Sequence, residues 1–286
     1  MTLKLAVPNK GRLHEPIVDL LESSGIGVID RGARQLFART NIPELEIIFV
    51  RTQDIPSMVS SGAADLGVTG HDLVLESGAD VKELLDLDFG KAKMVVAAHE
   101  SSSIESIEDV EDEVKVASEF PNVTRQYFEE KGIEINLSEV SGATEITPFI
   151  GMADLIVDLT STGITLRTHG LEVVDTLFET SVRLIANPQS LETKGKRIEE
   201  IKRALESVIQ AKPRKLLIMN VPEEKISKIK EIMPGMSGPT VSKVEGTDML
   251  AVQSVVQAKE VYEVINKVKA IGAQDILVVP IERVVM

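Results

Sequence analysis

The sequence predicts an α/β protein built from two similar lobes, followed by a small β-α-β-β-α-β module of the ferredoxin-like type. Three observations carry this. Short apolar runs alternate with helically spaced segments over residues 1–211. Within that stretch Ser61-Gly-Ala-Ala-Asp-Leu-Gly-Val68 is echoed by Ile150-Gly-Met-Ala-Asp-Leu-Ile-Val157, each a helix end turning into a buried strand. Charge then changes abruptly: residues 212–286 carry a net charge of +2 and the preceding residues −16. The break coincides with Lys212-Pro213, which places a linker near Ala211 to Pro213.

Composition narrows the chemistry. The 286 residues contain no cysteine, which removes disulfide scaffolds, thiolate metal sites and thiol nucleophiles together. A formal charge of −14 with 3% aromatics opposes a broad nucleic-acid surface, which needs cations and stacking platforms. The apolar start turns polar at Asn9-Lys10, too soon for a signal peptide, and no run reaches the length of a membrane span. The expectation is a cytoplasmic protein with neither nucleic-acid nor membrane partners.

Strands are expected at Leu3–Val7, Ile47–Val50, Leu66–Val68, Met94–Ala98, Lys115–Ala117, Leu155–Val157 and Leu184–Ala186. Helices are expected at Pro16–Ser23, Ile55–Ser61 behind an Asp54 N-cap, Asn122–Lys131 closed by Gly132, Thr144–Ile150 and Lys194–Gln210. In the module the order is a strand at Lys215–Val221, a helix at Glu223–Met233, strands at Thr240–Val244 and Met249–Val256, a helix at Ala258–Ile271 and a strand at Ile276–Val279.

The chemistry concentrates after the strand at Leu155–Val157. Asp158 and Leu159 lead into Thr160-Ser161-Thr162-Gly163-Ile164-Thr165, four hydroxyls in six positions around a glycine. At the carboxyl end of a parallel strand such a loop can cradle a monophosphate. The same residues also suit a turn whose hydroxyls cap the next helix. Asp158 and Glu145 are acceptors suited to sugar hydroxyls or to a hydrated Mg²⁺, or else are ordinary cap residues. Lys10, Gly11 and Arg12 follow the first strand and Arg51 ends another, at the mouth of any cleft between lobes, where they either bind anions or remain solvated. His71 and Arg125 are secondary candidates. No Walker phosphate loop is present, and Gly25-Ile-Gly-Val-Ile-Asp30 lacks the third glycine of a dinucleotide fingerprint.

Taken whole, Glu145, Gly151, Ala153, Ile156, Asp158, Leu159, Thr162, Gly163, Thr165 and Leu166 resemble the signature of the ATP phosphoribosyltransferases. The likeness extends to Lys10-Gly-Arg-Leu13, Asp54-Ile-Pro56, Ala64 to Gly70, Leu87-Asp-Phe-Gly90 and the closing Gly272 to Glu282. It is that of the long form, with a C-terminal regulatory domain inhibited by histidine. The resemblance implies a catalytic part like a type II periplasmic binding protein, with one lobe at residues 1–90 and 181–211, a second at 91–180, and a regulatory domain at 212–286. It further implies transfer of a phosphoribosyl group from phosphoribosyl pyrophosphate to N1 of ATP. Thr160 to Thr165 would hold the 5-phosphate, Asp158 and Glu145 the ribose and Mg²⁺, and Lys10, Gly11, Arg12 and Arg51 the ATP. Histidine would meet Asn220, Met236, Ser237, Gly238 and Thr240, although Gly238 intervenes here in the commoner Ser-Pro-Thr order. A homo-oligomer is implied, a hexamer in equilibrium with a dimer. A two-lobed binding or sensor protein without catalysis is the alternative; it would carry a secretory signal or a basic helix-turn-helix domain, and would need no hydroxyl-rich loop behind Asp158.

Overall fold

The computed structural model describes residues 2–29, 36–233, 235, 236 and 238–286. Two compact units are formed, Met1–Asp19 with Gly27–Lys202, and Leu20–Ile26 with Arg203–Met286.

The first unit holds two sheets. Along the chain come β1 (Leu3–Pro8), α1 (His14–Ser23), β2 (Val28–Ile29), β3 (Phe37–Thr40), β4 (Leu45–Val50), α2 (Ile55–Ser60), β5 (Leu66–Gly70), α3 (His71–Ser77) and β6 (Lys82–Asp86). Then follow β7 (Ala92–His99), β8 (Val114–Ser118), α4 (Pro121–Lys131), β9 (Ile135–Glu139), β10 (Leu155–Thr160), α5 (Ile164–Thr168), β11 (Leu171–Thr180), β12 (Val182–Ala186) and α6 (Pro188–Ala211). The first sheet runs β2-β3-β4-β1-β5-β12-β6 and the second β11-β7-β10-β8-β9. In each, the central parallel strands are largely buried, which is why Leu5–Val7, Leu66–Val68 and Leu155–Val157 appear in sequence as unbroken apolar runs. Gly67 is required by packing: a Cβ there would lie 2.5 Å from Ile55 Cγ2 and 2.8 Å from Val59 Cγ2, so α2 rests directly on the β5 backbone.

The echoed octapeptides build the same corner twice. Asp65 donates its N–H to Lys4 O (3.0 Å) and accepts the Lys4 N–H (2.8 Å), clamping β5 to β1. Asp154 donates to Lys115 O (2.8 Å) and accepts the Lys115 N–H (3.1 Å), clamping β10 to β8. Gly62 and Gly151 enter these corners at φ +76° and +68°, a conformation that glycine reaches without steric cost.

The second unit contains β13 (Arg214–Pro222), α7 (Ile226–Ile232), β14 (Thr240–Lys243), β15 (Met249–Gln257), α8 (Val261–Ala270) and β16 (Gln274–Pro280). All pairings are antiparallel in the order β14-β15-β13-β16, the ferredoxin-like arrangement. Leu217, Met219, Val221, Val252, Ile229 and Val268 form its core. Arg283 closes the unit by donating twice to Ser23 O, and Val284 donates to Ser207 O.

Several local expectations change. Asp54 makes no capping hydrogen bond and is itself helical, because a 3-10 turn over Thr52–Asp54 runs straight into α2. The helix expected at Thr144–Ile150 is only a 3-10 turn at Thr144–Ile146, entered from Ala143 at φ +52°. Helix α6 starts at Pro188 rather than Lys194, with Asn187 Oδ1 accepting the Ser190 N–H as its cap. Strands β2, β3, β6, β9 and β11 and helices α3 and α5 were not anticipated. For β11 the reason is physical: two register shifts against β7, at Val173/Asp175 and Thr176/Phe178, break the alternation on which recognition of a strand depends.

Asp65 is 5% exposed and also receives Lys194 Nζ (2.8 and 2.9 Å) and Ser190 Oγ (2.6 Å). Burial pushes its carboxyl up, but the bonds from Lys194, Ser190 and the Lys4 N–H, with the Lys194 charge, hold it below the ordinary value. Asp65→Asn should cost about 2–4 kcal/mol in denaturant unfolding at pH 7. A depressed carboxyl contributes stability above its unfolded pKa and loses it as pH falls through the folded one, so the penalty should vanish in strong acid.

Candidate functional site

The register of the second sheet assembles the site. β10 pairs in parallel with β8, Val157 facing Ser118, so Asp158 and Glu119 are the next residues at the same level. Ser118 locks this end: its hydroxyl donates to Val157 O (2.8 Å) and accepts the Phe120 N–H (2.9 Å). Asp158 is half-buried, with Oδ1 accepting the Leu159 N–H at 2.6 Å. Burial raises its pKa to about 6; the negative charges of Glu119 and Glu145 add to the rise, while the Leu159 N–H and the Thr144 hydroxyl oppose it.

Beyond Asp158 the chain turns through the hydroxyl loop. Thr160 Oγ1 accepts the Gly163 N–H (2.9 Å), and Gly163 adopts φ +70°. The loop hydroxyls do not cap α5, whose N-cap is Gly163 without a side-chain bond. Ser161, Thr162 and Thr165 are outside the core and their hydroxyls meet no protein partner among the described residues. They line a small polar pocket of about 260 Å³ with Glu145, Asp158, Leu159, Thr160, Ile164, Leu166 and Arg12.

Arg12 comes from the first sheet. The loop after β1 is joined to the end of β4 by Asn9 N–H to Val50 O (2.8 Å), which sets Lys10, Gly11 and Arg12 beside Arg51 and Gln53. These residues line a second, wider cleft of about 510 Å³ with Gly70, Asp72, Leu73, Gly90 and Phe120. Lys10, Arg12 and Arg51 are exposed and make no ion pair among the described residues. Most cations elsewhere in this unit are matched by acids: Arg183 with Asp86 (2.6 Å), Lys93 with Glu179 (3.2 Å), Arg125 with Glu139 (2.7 Å). Arg125 thus lies away from both cavities, and His71 is engaged by Glu83 (2.6 Å) and by the edge of Phe178.

Sequence reasoning missed Glu119, Asp72 and Phe120. Glu119 was within reach, since it lies two residues past the strand expected at Lys115–Ala117, much as Asp158 lies just past the one expected at Leu155–Val157. Asp72, buried and bonded to the Thr180 hydroxyl at 2.7 Å, gave no signal because Thr180 is 108 residues away. Two carboxylates with a third nearby offer the oxygen donors a hard divalent cation prefers. Among the described residues no group of three or more His, Cys, Asp or Glu side chains could enclose a metal, so a cation here would keep waters or ligand oxygens.

In the second unit Asn220 and Thr240 face Ala251 and Gln253 across β15. Directly opposed residues share a face, so both lie on one side of the sheet. Asn220 Nδ2 donates to Asp275 Oδ2 (2.9 Å). Met236 is 49% exposed and Gly238 has φ +112°. Ser237 lies outside the described residues.

Comparison with known proteins gives a consistent likeness. The family model described as HisG, ATP phosphoribosyltransferase, matches residues 51–207, and that described as the HisG C-terminal domain matches 211–283. The ATP phosphoribosyltransferase of Methanothermobacter thermautotrophicus is 48% identical over 286 residues, covering 100% of both chains. That of Methanosarcina acetivorans is 52% identical over 289, covering 99% of each. A chain of the solved ATP phosphoribosyl transferase (HisG:HisZ) complex from Thermotoga maritima superposes with TM-score 0.64 at 31% identity, over 72% of this chain and 99% of that one.

A carboxyl whose pKa is raised by folding binds its proton more tightly in the native state, so it costs stability once pH rises past that pKa. Asp158→Asn should therefore stabilise the protein at pH 7 by on the order of 2 kcal/mol, in thermal or denaturant unfolding. The gain should disappear below about pH 4, where both states are protonated.

Proposed function

The chain belongs to the ATP phosphoribosyltransferase family, and we propose that it carries out the family's transfer where the Asp158 pocket meets the cationic cleft. The activity joins ATP to the phosphoribosyl group of phosphoribosyl pyrophosphate in histidine biosynthesis. The observation that carries the location is Arg12, which lines both cavities and so faces both substrates at once.

Phosphoribosyl pyrophosphate fits the first pocket. Its 5-phosphate meets the free hydroxyls of Ser161, Thr162 and Thr165 and the backbone of Leu159 to Ile164, and Asp158 accepts from the ribose hydroxyls. ATP fits the cleft, with its phosphates against Lys10, the open backbone at Gly11, Arg12 and Arg51. N1 of adenine is itself the nucleophile, so no protein nucleophile is needed, in keeping with a chain without cysteine. As the bond from C1 to pyrophosphate breaks, positive charge develops on the ribose ring. Asp158 and Glu145 supply fixed negative charge beside it, and Arg12 and Arg51 receive the departing pyrophosphate. Mg²⁺ suits the oxygen donors of Asp158 and Glu145 and, when bound, neutralises pyrophosphate.

Residues 212–286 are the regulatory module, with histidine bound on the sheet face carrying Asn220 and Thr240 and by Met236, Ser237 and Gly238. The match of residues 211–283 to the HisG C-terminal domain supports this assignment. We assign the protein to the cytoplasm, where ATP is supplied, as a homo-oligomer that passes between dimer and hexamer.

Pyrophosphate release from ATP and phosphoribosyl pyrophosphate with Mg²⁺ tests the site. Asp158→Asn should lower kcat/KM by about 10² or more. In the wild type kcat/KM should fall as pH drops through about 6, because the carboxylate loses its charge there; the variant should lack that limb. An unchanged rate in the variant would remove Asp158 from the chemistry. Deleting residues 212–286 should abolish histidine inhibition more completely than turnover; inhibition surviving in the truncated chain would move the effector site elsewhere.

A further inference from the structure

Helix α3 begins at the carboxyl end of β5, in the first sheet, yet its side chains engage the second. Leu73 packs against the core that contains Phe120 and Val123. One turn on, Glu76 reaches the start of α4. Its Oε1 and Oε2 each accept the Asn122 N–H at 3.1 Å, and Oε2 also accepts the Val123 N–H at 3.0 Å. In return Asn122 Nδ2 donates to Glu76 O at 2.9 Å.

These amides belong to the orphan donors that every helix leaves at its N-terminus. Helix α4 cannot satisfy them itself: its N-cap is Phe120, which forms no side-chain cap, and Pro121 follows. A carboxylate suits the task, since it has two acceptor oxygens and its charge opposes the positive end of the helix. The cap of α4 is therefore supplied from the opposite lobe. Phe120, at that capped end, is the residue of the second lobe that lines the cationic cleft, beside Asp72 and Leu73.

We propose that Glu76 is a positioning residue for the transfer: by capping α4 across the cleft it holds the lobes at the spacing that lets Arg12 line both substrate cavities. The inference rests on the transfer taking place in that cleft. Without the cap, Phe120 and the strand end at Ser118 and Glu119 are free to swing away with α4, and the cleft opens at the cost of productive binding rather than of the chemical step. Substrates that bridge the lobes would then have to supply the closure themselves.

The chain has no cysteine, so a spin-label pair at Lys82→Cys and Glu134→Cys, one in each lobe, reports lobe spacing directly. Glu76→Ala should lengthen and broaden the distance distribution in the free enzyme and raise KM for ATP about tenfold, with kcat at saturation near wild type. Saturating substrates should restore the wild-type distance. Glu76→Gln, which keeps one acceptor oxygen, should fall between the two and decides the question if the alanine variant does not fold. An unchanged distance distribution overturns the cap as a determinant of spacing. A lengthened distance with unchanged KM overturns the positioning role by removing the cleft assignment on which it rests. A loss confined to kcat, with spacing intact, overturns it by assigning Glu76 to the chemistry.

Discussion

The site depends on one carboxylate kept partly out of water at the end of a parallel strand. Asp158 is half-buried, two other carboxylates lie near it, and its pKa rises to about 6. Its position follows from strand register: Val157 faces Ser118, the Ser118 hydroxyl bonds both Val157 O and the Phe120 N–H, and the next residue on each strand is acidic. Folding thus places charge where water solvates it poorly. That cost is tolerable in the role proposed for Asp158, to meet a developing cation, and it is the usual sign of a residue retained for function rather than stability.

The echoed octapeptide shows how two lobes with one architecture divide the work. In both, Gly-x-Ala-Asp-Leu turns the chain into a buried strand, and the aspartate clamps the N–H and C=O of a lysine on the neighbouring strand. In both, a short helix follows, α3 directly after β5 and α5 three residues after β10. The strands diverge three residues past Leu66 and Leu155. The second lobe has Asp158 there, while the first has Thr69, whose hydroxyl is spent on Thr52 O at 3.2 Å and helps to hold the turn after Arg51. The same corner therefore yields an acidic strand end in one lobe and support for a cationic loop in the other.

What was legible in the sequence was what burial writes there. Strands such as Leu66–Val68 and Leu155–Val157 lie between neighbours and must be apolar on both faces, so they stand out. The Asp158 loop stood out because four hydroxyls around a glycine are rarely needed for packing alone. Features set by tertiary context were hidden. β11 changes face at two bulges; α3 is a single short helix between Gly70 and Gly78; and α4 appears uncapped because its cap, Glu76, lies 46 residues upstream. Asp54 misled for the converse reason: it looked like an N-cap, but a 3-10 turn had already begun the helix.

The charge balance is resolved locally rather than globally. A chain of net −14 repels two polyphosphates at long range, so attraction must arise within the cleft. Three cations there, Lys10, Arg12 and Arg51, have no acidic partner among the described residues, whereas Arg183, Lys93 and Arg125 are each neutralised by a neighbour within 3.2 Å. Beyond about a Debye length, roughly 8 Å in physiological salt, the surface acids are screened, while charges facing one another across a narrow cleft are not. The acidic surface then discriminates more than it obstructs: extended polyanions meet repulsion along their length, and a compact substrate whose phosphates are already partly neutralised by a divalent cation does not. Arg12 lines both cavities and Glu76 of α3 caps α4; in the positioning role proposed for Glu76, that capped helix end sets whether the cations of the cleft act on one ligand or on two.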